Sequence, residues 1–342
     1  PAENFPFCTI EPNVGVVEVP DSRLNKLQEI VRAKKVIPTT LNLVDIAGLV
    51  KGASKGEGLG NSFLSNIREM NALAHVVRCF DDNNITHVDG EINSTRDAEV
   101  INLELIFSDL EALYKRKEKI EKKLRSGDKD LTNEFNLMED CIKTLESGDF
   151  INMSDYSNKE DLKVIQSFQL LTTKPIFFIA NVSDTESSRE NLNNLKEYAK
   201  TMDQEVVEVQ IKLEEEIASL DERDKKDFLE LEGIEEPVLN KIIKKGYEIL
   251  GLDTFFTAGP NELRAWTLKR GSLAPQAAGR IHTDFERGFI KAEIISFEDY
   301  ISFGGEVGSK ENGKLRLEGK DYIFKDGDIA HFKFNVWLFY CE

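Results

Sequence analysis

The sequence predicts an α/β fold in which a doubly wound, mostly parallel sheet carries an inserted antiparallel helical hairpin and is followed by a smaller α+β domain. Short apolar segments alternate with segments of helical spacing over residues 14–209, as in parallel sheets that are buried on both faces. Within that region, residues 101–147 keep apolar residues at helical intervals without a strand-like segment, which is typical of a long helical pair. Beyond residue 253 the apolar segments are short and separated by turn signals, which indicates a small mixed domain.

Composition narrows the class of protein. The chain has 342 residues, of which 40% are hydrophobic and 31% charged, and its formal net charge is −18. We expect two or three globular domains and no DNA partner, although a local basic cluster could still contact RNA. Scattered cysteines without a C-x-x-C pair argue for a reducing compartment and against a zinc module. Because no long apolar run or signal peptide is visible, we predict a cytoplasmic protein without a membrane partner.

The alternating region contains the candidates for a ligand site. Strand-like segments lie at residues 14–19, 41–44, 75–80, 174–180 and 206–209, and helical spacing marks residues 24–31, 63–70 and 192–198. In a doubly wound sheet the ligands bind beyond the carboxyl ends of the strands, so we expect the polar residues that follow these segments to form the site.

Residues 101–159 are predicted to form the inserted hairpin, with coiled-coil-like seams in both arms and a turn at residues 126–128. The first arm carries a run of basic residues, namely Lys115, Arg116, Lys117, Lys119, Lys122, Lys123 and Arg125. Two interpretations of this run stay open. It is either a solvated face balanced by glutamates, or a basic arm that contacts the ribosome or its RNA.

The C-terminal domain is predicted over residues 253–336. Strands are expected at residues 263–268, 322–324 and 330–334, and a helix over residues 289–300. The simplest arrangement is a ubiquitin-like sheet with one main helix. Residues 337–342 form an apolar tail for which the sequence offers no physical explanation.

Asp45 and Gly48 form a D-x-x-G pattern between an apolar strand and a glycine-rich loop. In nucleotide switch proteins, the Asp of this pattern holds Mg²⁺ and the Gly amide meets the γ-phosphate. Thr9 lies upstream, where a threonine can bind Mg²⁺ through its hydroxyl. An ordinary loop position is the alternative interpretation of Thr9.

The segment Asn181-Val182-Ser183-Asp184 lies where a base-reading loop is expected. In the N-K-x-D form of that loop, the Asn ties loops together, the Lys stem packs on the base, and the Asp accepts two hydrogen bonds from guanine. Val182 stands in the place of the Lys. A plain strand-ending turn is the alternative interpretation of this segment.

The search for a phosphate-binding loop finds one approximate match. Residues 308–315 approach the pattern G-x-x-x-x-G-K-[ST], but Leu315 cannot ligate Mg²⁺ and is followed by a strand-like segment rather than a helix. We interpret this match as a hairpin loop. The four histidines show neither the spacing of metal ligands nor a Ser-His-Asp triad, so structural roles are expected for them.

Six stretches of the chain resemble the YchF/Obg-like ATPase family. They are residues 4–13 (NFPFCTIEPN), 44–50 (VDIAGLV), 56–61 (GEGLGN), 255–259 (FFTAG), 264–267 (RAWT) and 274–289 (APQAAGRIHTDFERGF). The resemblance implies an Obg-type P-loop NTPase domain in residues 1–100 and 160–252, a coiled-coil insertion over residues 101–159, and a TGS domain over residues 253–336. It also implies Mg²⁺-dependent hydrolysis of ATP in preference to GTP, and association with the ribosome (large subunit or ribosomal RNA) through the hairpin and the TGS domain.

The same resemblance implies roles for individual residues. Thr9 and Asp45 are the expected Mg²⁺ ligands, Gly48 belongs to the loop that senses the γ-phosphate, and residues 181–184 hold the base, with a backbone contact from Val182 to adenine. Leu49 stands where Ras-like enzymes place a water-orienting Gln, so the resemblance implies slow intrinsic hydrolysis.

The chain departs from the family pattern at several positions. In the family a strand and the phosphate-binding loop precede the position of Pro1, and we expect the encoded protein to contain them. If the chain is complete as given, we expect little or no hydrolysis. Asp184 replaces the usual Glu, which restores the residue type of guanine-specific proteins. Gln210-Ile211-Lys212 stands where small residues are typical of the fifth motif.

We therefore predict a ribosome-associated switch protein that hydrolyses ATP. ATP is favoured over GTP because Val182 removes the lysine that stacks on guanine-type bases. The alternative is a non-catalytic scaffold whose hairpin and C-terminal domain contact ribosomal RNA or protein. A hydride-transfer enzyme is disfavoured because no G-x-G-x-x-G follows a strand.

Overall fold

The structure is a computed structural model that describes residues 13–46, 59–82, 85, 91–124, 129–231, 233–234 and 236–335. Its strands are β1 (Asn13–Glu18), β2 (Lys35–Ile37), β3 (Thr40–Asp45), β4 (Leu73–Arg78), β5 (Ile176–Asn181), β6 (Val206–Val209), β7 (Leu252–Ala258), β8 (Glu262–Lys269), β9 (Phe289–Ile295), β10 (Arg316–Glu318) and β11 (Ile329–Phe334). Its helices are α1 (Ser22–Val31), α2 (Leu59–Glu69), α3 (Ser94–Leu124), α4 (Lys129–Glu146), α5 (Lys159–Ser167), α6 (Glu186–Thr201), α7 (Ile211–Ser219), α8 (Glu222–Leu231), α9 (Val238–Ile249), α10 (Ala274–Ile281), α11 (Thr283–Arg287), α12 (Phe297–Ser302) and α13 (Glu306–Glu311).

Contacts divide the chain into two units. The first contains Pro1–Val14 and Val44–Leu239, and the second contains Gly15–Leu43 and Asn240–Glu342. This division differs from the predicted nucleotide-binding domain over residues 1–100 and 160–252. The difference arises because residues 15–43 group with the second unit. Strand β2 lies in this segment, was not predicted from the sequence, and pairs with β8 as a parallel strand. The boundaries of the functional domains remain a prediction.

A parallel sheet in the order β4-β5-β6 is the centre of the first unit. The first five residues of β5, the middle strand, are all buried, as its uniformly apolar sequence predicts. Phe178 of this strand forms one core with Val77 of β4 and Leu195 of α6. Because the strands are parallel, their carboxyl ends lie at one edge of the sheet.

Helices α3 and α4 run antiparallel in the first unit. Tyr114 contacts Glu146 and Lys117 contacts Glu139, so positions that advance along α3 meet positions that recede along α4. Their shared core includes the buried residues Ile106, Leu113, Ile120, Met138, Ile142 and Leu145. None of the described helices, including α3 with its 31 residues, is long and apolar enough to cross a membrane.

The second unit contains a mixed sheet in the order β10-β9-β11-β7-β8-β2. β7 and β8 are antiparallel, whereas β11 is parallel to β7 and antiparallel to β9. Phe255 of β7 lies in the core, and the rings of Phe324 and Phe332 meet it edge-on at 5.2 and 5.9 Å. Leu24 and Leu27 of α1 are buried in a second cluster that includes residues of β7 and β8.

The predicted helix over residues 289–300 is wrong. The chain forms β9 and then α12, and the two are separated by Ser296, whose Oγ accepts a hydrogen bond from Asp299 N at 3.2 Å. Apolar residues at positions 289, 292 and 295 fit a helical period, but Phe289, Ala292 and Ile294 are buried as residues of a strand that pairs on both sides.

The predicted strand over residues 322–324 is also wrong. Ile323 makes only an isolated bridge to Leu273, and Phe324 N donates to Ser272 O at 3.0 Å. This segment therefore pairs with the loop before α10 and not with β11. The interpretation of residues 308–315 as a hairpin loop is wrong for its first half, because those residues belong to α13.

Candidate functional site

The segment 181–184 lies at the middle of the edge formed by the carboxyl ends of β4, β5 and β6. Hydrogen bonds continue the strand pairing past the strand ends. Cys79 N donates to Asn181 O, and Val182 N donates to Val209 O, both at 2.9 Å. The predicted base-reading segment is therefore held between Cys79, which follows β4, and Val209, the last residue of β6.

The side chain of Asn181 links two loops at this edge. Its Oδ1 accepts a hydrogen bond at 3.2 Å from the backbone N–H of Ile211, the first residue of α7. A helix leaves its first backbone N–H groups without partners inside the helix. Asn181 satisfies one of these groups and so fixes the beginning of α7 against the end of β5.

Val182 and Ser183 have already used their backbone N–H groups. Val182 N donates to Val209 O at 2.9 Å, and Ser183 N donates to Ser188 Oγ at 2.9 Å. The Val182 side chain packs against the core around Phe178. The resemblance implies a backbone contact from Val182 to adenine. Because its N–H group is already used, the carbonyl oxygen is the backbone group that remains for such a contact.

The carboxylate of Asp184 meets an amide side chain. Its Oδ1 accepts a hydrogen bond from Gln210 Nε2 at 3.0 Å, although the two residues are 26 positions apart. Gln210 directly precedes α7, and the pairing of β5 with β6 brings it to this edge. Asp184 is exposed and Gln210 is partly buried, so the pair lies at the surface of the site.

Arg78 organises the loop that follows β4. Its guanidinium donates to the carbonyl oxygens of Phe80 and Asp82 at 3.0 and 3.1 Å, and it lies 4.8 Å from the centre of the Phe80 ring. Ser187 Oγ at the start of α6 donates to the carboxylate of Asp81. The Asp81 carboxylate is therefore held at the same edge as the segment 181–184.

Asp45 is exposed at the end of β3. Among the described residues, no side-chain hydrogen bond or ion pair involves Asp45, and no cluster of three metal-ligating side chains is present. A single carboxylate fits Mg²⁺, which takes one or two carboxylates and keeps several waters. The neighbouring Ile46 packs with Leu73 and Ile176, at the amino ends of β4 and β5. Within the described part of the chain, no hydrogen bond or ion pair joins Asp45 to the segment 181–184.

Of the predicted site residues, the structure brings together the four at positions 181–184. Thr9, Gly48 and Leu49 lie outside the described residues. The partnership of Gln210 with Asp184 could not be inferred from the sequence, because it depends on the pairing of two strands. The only signal at Gln210 was its departure from the small residue expected there.

A buried polar cluster before the amino end of β5 was also not predicted from the sequence. Asp109 of α3 accepts hydrogen bonds from Leu171 N, Thr172 N and Thr172 Oγ1 at 3.0, 2.9 and 2.8 Å, and Arg68 Nη1 of α2 lies 3.3 Å away. Burial raises the pKa of Asp109, and these donors oppose the rise. The cluster joins α2 and α3 to the segment before β5. An acidic residue within the apolar seam of the first arm was the available signal.

Relatives of this chain match it over nearly its whole length. The protein named "Ribosome-binding ATPase YchF" in Escherichia coli O157:H7 is 52% identical over 336 residues, which are 98% of this chain and 92% of that protein. The protein of the same name in Bacillus subtilis (strain 168) is 51% identical over 337 residues, which are 97% of this chain and 92% of that protein.

A solved structure and two family models match as well. "Structure of the Schizosaccharomyces pombe YchF GTPase" has a TM-score of 0.84 and 36% identity, and the match covers 96% of this chain and 90% of that one. The family model MMR_HSR1, described as "50S ribosome-binding GTPase", matches residues 1–109. The model YchF-GTPase_C, described as "Protein of unknown function (DUF933)", matches residues 252–335.

Proposed function

This chain belongs to the YchF family, and we propose from that membership that it is a nucleotide-binding switch protein that hydrolyses ATP and associates with ribosomes. ATP is the proposed substrate because the curated relatives, which match nearly the whole chain, are named ribosome-binding ATPases. The family model that matches residues 1–109 is described as that of a GTPase, so GTP is the competing substrate.

One observation carries the nucleotide part of the proposal. The segment 181–184 meets Gln210 and Ile211 at the carboxyl edge of a parallel sheet, which is where doubly wound sheets bind their ligands. Side-chain and backbone bonds fix these loops in place before any ligand arrives. A fixed set of polar groups can select a base because it does not need to rearrange on binding.

The phosphate end of the nucleotide is assigned to the predicted switch residues. Asp45 and Thr9 would hold Mg²⁺, and Gly48 would meet the γ-phosphate. When bound, the metal neutralises charge on the phosphates. Leu49 cannot orient a water molecule by hydrogen bonding, so we expect slow hydrolysis without a partner that stimulates it.

The ribosome is the proposed macromolecular partner. The helical pair α3–α4, which we propose to act as a coiled-coil arm, and the C-terminal part over residues 253–336, which we propose to be a TGS domain, would contact the large subunit or its RNA. This role places the protein in the cytoplasm with its partner.

The test uses the protein as its gene encodes it, with any residues that precede Pro1. Phosphate release from ATP and GTP is measured with and without Mg²⁺, and ribosome co-sedimentation is measured with ATP, with ADP and without nucleotide. We expect slow Mg²⁺-dependent release from ATP and ribosome binding that depends on the nucleotide. If ribosome binding is the same with and without nucleotide, and no phosphate is released, the protein is instead a non-catalytic scaffold.

A further inference from the structure

The hydrogen bond between Gln210 and Asp184 fixes the orientation of the Gln210 amide. Nε2 faces the Asp184 carboxylate at 3.0 Å. The opposite orientation would place Oε1 against a carboxylate oxygen, and two acceptors repel each other. Gln210 therefore retains Oε1 as an acceptor for a further partner, and Asp184 determines which end of the amide remains.

The edge around this pair presents two acceptors to a ligand. The backbone N–H groups of Val182, Ser183 and Ile211 already donate to Val209 O, Ser188 Oγ and Asn181 Oδ1, respectively. The carbonyl oxygen of Val182 and Oε1 of Gln210 are acceptors. A ligand that presents an amine suits these two acceptors, whereas a carbonyl oxygen placed against either of them would be repelled.

We propose that Gln210 is a specificity-determining residue that reads the 6-amino group of adenine through Oε1, and that Asp184 positions it. The inference rests on the proposed function, because it concerns the base of the nucleotide assigned to this edge. It explains how the chain keeps an aspartate of the guanine-specific type and still selects ATP, because Gln210 occupies Oδ1, one of the two oxygens that would otherwise accept from guanine. Guanine also carries an oxygen at position 6, which would face Oε1 and be repelled.

The experiment measures binding by competition against ATP labelled with a fluorophore on the ribose, so that the base is unmodified. The competitors are ATP, GTP and purine riboside triphosphate, which lacks the 6-amino group. In the unmodified protein, loss of the amino group should weaken binding about tenfold, the effect of one hydrogen bond at a polar site. In Gln210→Ala the same loss should have almost no effect, and the preference for ATP over GTP should fall about tenfold.

Variants of Asp184 separate positioning from direct contact. Asp184→Asn offers both an oxygen and an NH2 group, so the Gln210 amide can take either orientation and the preference for ATP should weaken only in part. Asp184→Ala releases the amide, and the sensitivity to the 6-amino group should fall toward that of Gln210→Ala. Gln166→Ala, at an exposed position of α5, is the matched control and should behave as the unmodified protein.

The outcomes distinguish this inference from the proposed function. If the unmodified protein binds nucleotides but Gln210→Ala keeps both the preference for ATP and the sensitivity to the 6-amino group, the role of Gln210 is overturned and the ATPase proposal stands. If the unmodified protein binds neither ATP nor GTP, both are overturned. If Gln210→Ala does not fold, Gln210→Leu gives the same test, since its side chain is of similar size and offers no acceptor to the 6-amino group.

Discussion

The side chain of Asp109 has no exposed surface and is surrounded by donors from two parts of the first unit, Arg68 of α2 and the segment Leu171–Thr172. A buried carboxylate with this many partners is costly to disturb, because its removal leaves backbone and hydroxyl donors unpaired in the interior. Its role is to hold α2, which follows the predicted switch segment, against the base of the helical arm.

We predict that Asp109→Ala lowers the free energy of unfolding by about 3–5 kcal/mol. Urea denaturation measures the change. Asp140→Ala, at an exposed position of α4, is the matched control and should change the free energy by less than about 0.5 kcal/mol. A loss at position 109 as small as that of the control would show that the cluster does not support the fold.

His75 gives the first unit a dependence on pH. Its ring lies 5.3 Å from that of Phe178, and burial lowers its pKa from 6.5 to about 4. Between these two values the unfolded chain binds a proton at position 75 and the folded chain does not. The contribution of His75 therefore makes the protein less stable as the pH falls from 6.5 to about 4.

We predict that His75→Leu removes up to about 3 kcal/mol of this acid destabilisation. The measurement is the free energy of unfolding at several pH values in both proteins. His331→Leu, at an exposed position, reports the effect of losing a surface histidine. Parallel pH curves for His75→Leu and the unmodified protein would contradict the assignment.

At the scale of elements, the sequence predicted most helices and strands, but it did not predict those that depend on strand pairing. The strands of the parallel sheet were predictable because they are short, nearly uniformly apolar runs, and the long helices because their apolar residues recur at helical intervals. β9 was not, because its apolar positions fit two periods, and only its pairing with β10 and β11 decides between them. The contact between Asp184 and Gln210 was likewise beyond the sequence, since strand pairing creates it.

The basic run on α3 is partly committed to contacts within the protein. Lys115 pairs with Glu111, Arg116 with Glu134, and Lys117 with Glu139. Lys119 and Lys122 are exposed and, three residues apart on one helix, share a face. Among the described residues of this run, these two are the candidates for phosphate contacts of the proposed ribosome-binding arm.

We predict that Lys119→Glu combined with Lys122→Glu weakens ribosome co-sedimentation. The dependence of binding on salt should also become less steep, by the amount expected for the loss of about two phosphate contacts. The control combines Lys163→Glu with Lys241→Glu, which makes the same charge change at exposed positions of α5 and α9, outside the α3–α4 pair. Equal losses in the two proteins would indicate a general charge effect and contradict a specific role for the arm.

For the whole molecule, family membership followed from long sequence stretches, whereas the grouping of residues 15–43 with the C-terminal unit required the structure. A strand of three residues carries that grouping, and so short a segment has no recognisable period. The sequence-predicted switch residues Thr9 and Asp45 flank this segment. The central claim, however, concerns the first unit, where the carboxyl edge of β4, β5 and β6 is assigned to the base of ATP.

Photolabelling with 2-azido-ATP tests that claim most directly, because the reactive group is on the base. The encoded protein is labelled in the presence of Mg²⁺, and the modified peptides are identified by mass spectrometry. We predict labelling of peptides that contain residues 181–184 or 210–212, suppressed by excess ATP and much less by the same concentration of GTP. Specific labelling confined to other parts of the chain, or equal suppression by GTP, would contradict the account.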